Sequence, residues 1–188
     1  MKKISYLIIV FTLSIVACKN EKKETKTVEN EVVKTEVITP KKVAIALNAK
    51  SGSNATGNIV FKEENGKVHM TAIMSGLEPG SHAIHIHQTS DCSSTDGKSA
   101  GGHWNPTNQP HGKWGATEGY HKGDIGNFIA DEKGNGTISF STDEWCIGCD
   151  DDNKNILGKG VIVHAGTDDY GQPTGNAGGR VSCGGIIE

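Results

Sequence analysis

From Gln88 to Lys122 the chain runs for 35 residues rich in Gly, Pro, Asn and Ser, without the two-residue alternation of a strand or the 3.6-residue period of a helix. Irregular segments longer than about 12 to 15 residues inside a compact domain are usually functional or disordered. This one holds His103, His111 and His121 together with two tryptophans. An apolar core alone would hardly order it, whereas a metal ion and a disulfide can. The whole sequence has 25 glycines, 5% aromatics and no sustained helical apolar period, which favours short strands joined by turns. An all-β domain is expected.

Strands are expected at Val43–Leu47, Asn58–Glu63, Val68–Ser75, His82–His87, Gly126–Ala130, Thr137–Ser141, Val161–His164 and Arg180–Cys183. Asn65-Gly66 suits a type I′ hairpin turn, because both residues tolerate positive φ, and Asp131–Asn135 reads as a longer hairpin loop. In the segment His-Ala-Ile-His-Ile-His at 82–87, a strand sends His85 and His87 to one face and His82, Ile84 and Ile86 to the other. Six histidines, His85, His87, His103, His111, His121 and His164, fall on that face, in the long loop or at a strand end. Imidazoles clustered with a carboxylate are what borderline metals such as copper and zinc select.

The first 42 residues are a separate matter. Lys2 and Lys3 precede an apolar run from Ile4 to Ala17, too short to span a bilayer as a helix and built like a secretory signal over residues 1–17. Ile-Val-Ala-Cys at 15–18 resembles the lipobox of bacterial lipoproteins, which implies lipid on Cys18 and a membrane anchor. Residues 18–42 read as a solvated tether: from 19 to 42 there are seven Lys, five Glu and no aromatic residue. Residues 43–188 then form one domain. It carries ten Lys and Arg against 17 Asp and Glu, a formal −7, which argues against a nucleic-acid partner and means that an anionic substrate needs local steering.

Several motifs recur in a fixed order. They are Gly80-x-His82-x-x-His85-x-His87, Ala100-Gly101-Gly102-His103-Trp104-Asn105-Pro106, His111-Gly112, His121-x-Gly123-Asp124-x-Gly126-Asn127, Val161-x-Val163-His164 and Gly175-Asn176-Ala177-Gly178-Gly179-Arg180-x-x-Cys183-Gly184. Together they resemble copper/zinc superoxide dismutase over residues 43–188. The resemblance implies an eight-stranded Greek-key β-sandwich or flattened barrel with long metal-binding loops. It implies copper on His85, His87, His103 and His164, and zinc on His103, His111, His121 and Asp124, with His103 bridging. Three nitrogens and one carboxylate oxygen make a closed zinc site of the structural kind. Asp168 matches a position whose carboxylate links a copper-ligand and a zinc-ligand imidazole.

The implied reaction converts two superoxide ions and two protons to O2 and H2O2 by Cu(II)/Cu(I) cycling, with His103 delivering a proton and Arg180 drawing in the anion. Arg180 is the chain's sole arginine, and its planar fork suits a small oxyanion better than an ammonium does. The segment Thr167–Gly175 is shorter than in many relatives and has no lysine, so steering rests on Arg180. A different class of function, a copper-binding module that stores or hands over the metal without turnover, stays open, as does a zinc-only relic. Every ligand position and Arg180 are filled, which favours the enzyme.

His82, opposite the ligands, reads as a buried histidine bonded to backbone, and His69 as an ordinary strand residue. The resemblance pairs Cys92 with Cys183. For Cys146 and Cys149 a local disulfide, a metal site and free thiols all stay open, an oxidising compartment favouring the disulfide. The protein is expected outside the cytoplasm, in the periplasm or on the cell surface; a homodimer is left open.

Overall fold

The computed structural model describes residues 41–188. The expected signal segment, Cys18 and the tether up to residue 40 lie outside the described residues. Eight strands follow in chain order: β1 Lys41–Ala49, β2 Thr56–Glu64, β3 Lys67–Ser75, β4 Gly80–His87, β5 Asp124–Ala130, β6 Gly136–Thr142, β7 Gly160–His164 and β8 Arg180–Gly185. Each expected strand is present and most extend a residue or two further. β1 begins at Lys41, inside the expected tether, because Lys41 and Lys42 pair with Glu63 and Lys62 of β2, and Lys41 Nζ donates to Ile147 O at 2.8 Å.

The strands close into an antiparallel barrel in the order β1-β2-β3-β6-β5-β4-β7-β8. Two connections, β3 to β4 and β6 to β7, join strands that are not neighbours, which is the Greek-key feature. Closure is narrow in places: β1 meets β8 through Asn48–Cys183 and Ala49–Ser182, and β5 meets β6 through Ala130–Gly136. The β2–β3 turn has Asn65 at φ 53° and Gly66 at φ 73°, as the hairpin requires. In the β5–β6 loop, Asp131 Oδ1 accepts from the backbone N–H groups of Lys133 and Asn135.

β3 alternates strictly, with Val68, Met70, Ala72 and Met74 buried and the residues between them exposed. Those inward side chains meet Leu47, Ile59, Phe61, Ile84, Ile86, Val161 and Val163 in one core. Full burial of such side chains stabilises by about 1.5–3 kcal/mol each. β4 breaks the alternation: all residues from His82 to His87 are buried. Ile84 and Ile86 point into the barrel, while His85 and His87 on the outer face are covered by loops.

The covering is the long β4–β5 connection, residues 88–123. It is held by more than a crosslink, since its Trp104 is 4% exposed and joins the barrel core. Its backbone also folds against β4, Trp104 N–H donating to Ile86 O at 2.8 Å. Cys92 and Cys183 are disulfide-bonded with Cα atoms 5.8 Å apart, tying this loop to β8. Ala100, Ile162 and Cys183 form a small second core beneath that bond. Cys146 and Cys149 are also joined, in the β6–β7 loop.

Candidate metal centre

The residues singled out for metal binding converge from four places. β4 contributes His85 and His87 on its outer face, β7 contributes His164 at its last position, and the β4–β5 connection contributes His103, His111 and His121, with Asp124 opening β5. Register irregularities between Ile84 and His85 on β4 and between Val163 and His164 on β7 fall at this cluster, where a bulge re-aims a side chain.

Two groups result. One ligand atom each from His85, His87, His103 and His164 lies within 4.8 Å of the others, and the same holds for His103, His111, His121 and Asp124. His103 belongs to both. All seven are buried, none more than 7% exposed.

What fixes the rings is the partner of each second nitrogen. His85 Nε2 lies 2.9 Å from Asp168 Oδ2, His87 Nδ1 lies 3.0 Å from Gly101 O and His164 Nδ1 lies 3.3 Å from Gly178 O. That leaves His85 Nδ1, His87 Nε2 and His164 Nε2 buried with no hydrogen-bond partner. Buried polar nitrogens are rarely left so, and three directed at one spot fit a metal ion. In the other group His103 Nδ1 lies 2.9 Å from Asp124 Oδ1 and His121 Nδ1 lies 3.2 Å from it. His111 Nδ1 lies 2.9 Å from Asp124 Oδ2 but off the line of a hydrogen bond, as expected of a lone pair aimed elsewhere. With Nδ1 committed to the Asp124 group, His103 has Nε2 left for the first group.

The electrostatics differ in the same way. Burial pushes the His87 imidazole down to about 2, His164 to about 3 and His103 to about 4, with neighbouring imidazoles adding to the effect. Such rings stay neutral, the form that binds a metal. At His111 burial acts downward too, but the hydrogen bond to Asp168 and the charges of the Asp124 and Asp168 carboxylates outweigh it and raise the ring to about 9. Burial acts upward on Asp124 and Asp168, yet their histidine hydrogen bonds hold both well below the usual carboxylate range.

Asp168 is 1% exposed and spans the groups, Oδ2 on His85 and Oδ1 at 2.9 Å from His111 Nε2. Arg180 is half-buried, its two terminal nitrogens donating to Gly97 O at 2.9 Å and Gly101 O at 2.7 Å. Its charge is among the influences that lower His87 and His164, so it stands beside the four-histidine group. Gly97 has φ 71°, and a Cβ there would press on the Arg180 side chain. His82 sits apart, its ring nitrogens 2.8 Å from His164 O and 2.7 Å from Glu78 O, as a backbone-bonded buried histidine should. His69 is exposed on β3.

Three amide side chains escaped the sequence reading. Asn127 clamps the backbone of Asp168, accepting its N–H at 2.7 Å and donating to its carbonyl at 2.9 Å. Gln172 does the same to His111 at 3.1 and 2.6 Å. Gln88 Oε1 accepts from Gly102 N–H at 3.2 Å, beside the Gly101 carbonyl shared by His87 and Arg180. Asn127 lay inside a recognised motif; the other two carried no local signal. A cavity of 590 Å³ over β1, β2, β3 and β6 contains none of the clustered histidines.

Comparisons with known proteins agree with this geometry. Residues 55–186 match the family model described as copper/zinc superoxide dismutase. The extracellular Cu-Zn superoxide dismutase of Brugia pahangi is 36% identical over 159 residues, covering 78% of this chain and 76% of that protein. The crystal structure of the clock protein EA4 is similar at TM-score 0.68 and 34% identity, covering 79% of this chain and 96% of that one. A double mutant of a superoxide dismutase-like protein from Bacillus subtilis matches at TM-score 0.69 and 31% identity, over 77% of this chain and 97% of that one. The cofactors of such a chain are copper and zinc, and its buried imidazole and carboxylate donors suit both. The chain belongs to the copper/zinc superoxide dismutase family.

Proposed function

We propose that this protein dismutes superoxide to O2 and H2O2, using copper held by His85, His87, His103 and His164 and structural zinc held by His103, His111, His121 and Asp124. The observation that carries the reading is the set of three buried, unpartnered nitrogens on His85, His87 and His164, beside a fixed arginine. Copper bound there supplies one-electron chemistry in both directions, which zinc does not.

The chain's own groups supply the rest. Arg180 uses two of its five donors on Gly97 and Gly101, which holds the guanidinium still and leaves donors for a small anion. This positive charge is the local steering that a domain of formal −7 needs. With Nδ1 committed to the Asp124 cluster, the His103 ring is held so that Nε2 holds or releases a proton at a defined place. Asp168 holds one imidazole of each proposed site in a single orientation.

The protein is further read as exported and membrane-anchored, with a signal over residues 1–17, lipid on Cys18 and a charged tether carrying the domain. Two disulfides among the described residues and the extracellular relative support export. A homodimer stays a part of this reading that solution mass measurement tests directly.

The experiment is the dismutation rate of the chain reconstituted with copper and zinc, beside His87→Ala. Fast, copper-dependent turnover that the substitution removes is the expected result. A protein that binds both metals but leaves superoxide to decay spontaneously would replace this reading with copper storage or delivery.

A further inference from the structure

His111 is gripped from three sides by the β7–β8 loop, residues 165–179, none of the three contacts coming from a proposed ligand. Asp168 Oδ1 lies 2.9 Å from ring Nε2, and the Tyr170 ring stacks on the imidazole with centroids 6.5 Å apart and planes 24° from parallel. The third contact is the Gln172 side chain, which accepts the His111 N–H at 3.1 Å and donates to the His111 carbonyl at 2.6 Å. The other loop histidines are held differently. His103 bridges in antiparallel fashion to His87 on β4, and the His121 N–H is taken by Asp124 Oδ2 at 2.8 Å.

We propose that Gln172 is the positioning residue of the zinc site, latching the β7–β8 loop onto the β4–β5 loop so that His111 Nδ1 is presented with its backbone already fixed. The proposal rests on the assignment of His111 to zinc. His111 lies outside every strand, so its backbone N–H and carbonyl have no ladder partner. Buried backbone polar groups need partners, and a primary amide supplies a donor and an acceptor side by side, as a neighbouring strand would. Aspartate or glutamate cannot do this, because a carboxylate only accepts and would face the His111 carbonyl oxygen. Without the latch, zinc binding must order this stretch of the loop itself, and that cost appears as lost affinity. Partners one step behind a metal ligand are worth about 10–100-fold in affinity.

The latch also lets one loop serve both clusters. Within 15 residues the chain leaves His164, supplies Asp168, Tyr170 and Gln172 to His111, and returns through Gly178, whose carbonyl holds His164 Nδ1, to Arg180. Gly175 allows that return: its φ is +80°, and a Cβ there would run into the Asp168 carboxylate and His111 Nε2.

The test uses the full chain loaded with copper and zinc, compared with Gln172→Met and Gln172→Glu. Three quantities are read: zinc release to a chromogenic chelator, the Cu(II) EPR spectrum, and the melting temperature of the metal-free form. Zinc release about tenfold or more faster in both variants is expected, with the EPR spectrum and metal-free melting unchanged. Release at the unmutated rate overturns the latch, as does an acceleration matched by an equal loss of metal-free stability. His111→Ala separates the two levels: a full equivalent of slowly released zinc in that variant refutes the ligand assignment and leaves Gln172 without a role. Should the Gln172 variants fail to fold, amide hydrogen exchange in the unmutated protein decides. Protection of the His111 N–H supports the latch, and exchange at the rate of open loop amides overturns it.

Discussion

The two histidine clusters share His103 and lie side by side, yet they are built on different principles. The four-histidine cluster draws His85, His87 and His164 from strands β4 and β7, and two of its rings lean on backbone carbonyls. The cluster of three histidines and Asp124 is drawn from the β4–β5 connection and the first residue of β5, and its polarity comes from carboxylates. Burial keeps His87, His103 and His164 neutral, whereas His111, set between the Asp124 and Asp168 carboxylates, rises to about 9. Strands position the four-histidine cluster, and the loop cluster depends on its crosslinks and its amide clamps.

The comparison breaks most sharply with His87→Ala, which removes a strand-borne nitrogen; dismutation is expected to fall to the spontaneous rate while one equivalent of zinc is retained. Removing the Cys92–Cys183 bond by Cys92→Ser strikes the loop side, since the bond closes 91 residues. Chain-entropy reasoning puts the loss at about 4.6 kcal/mol, measurable by denaturant unfolding of the metal-free protein. Asp168→Asn acts on both clusters at once and should weaken zinc and copper alike by about 10–100-fold in competition titrations. An effect confined to one metal would show that the carboxylate serves one cluster alone. Arg180→Ala should leave both metals bound and lower the dismutation rate about tenfold or more, with little remaining dependence on salt, since steering of this kind is worth about 10–1000-fold. A rate that survives would remove Arg180 from the reading.

The smallest effect sharpens the electrostatic contrast. In the unfolded metal-free chain the imidazoles take up protons near pH 6.5, but in the folded protein His87, His103 and His164 do so only near about 2, 4 and 3. The unfolded state therefore binds more protons in this interval, and stability falls as the pH drops below about 6.5. His111 works in the opposite sense: its raised value stabilises the fold below about 6.5, and that contribution fades as the pH rises towards 9. Thermal melting of the metal-free protein between pH 7 and 4 should decline, and His111→Gln should steepen the decline.

The strands were legible because their signal is local. β3 alternates residue by residue, and Asn65-Gly66 announces its own turn. The placing of His85 and His87 on one face follows from the same two-residue period. His103, His111 and His121 stood out as metal donors by their place in the long loop, but their division between two sites came only through motif order, because an irregular loop has no period from which a direction can be read. The amide clamps of Gln88 and Gln172 left no trace in the sequence: Gln172 meets His111 across 61 positions, and a glutamine in a polar loop looks like any other.

By itself, the sequence determined the all-β character, the face of β4 that carries the two histidines, and which side chains were available as donors. Those properties depend on neighbours a few residues apart, where backbone geometry is fixed by chemistry. Tertiary structure alone decided which nitrogen of each ring is left free, which of the alternatives open for Cys146 and Cys149 holds, and that Gly97 and Gly101 hold Arg180 in place. Each of those depends on directions and distances between segments brought together by barrel closure, and hydrogen bonding is too short-ranged and too directional to be inferred before the segments meet.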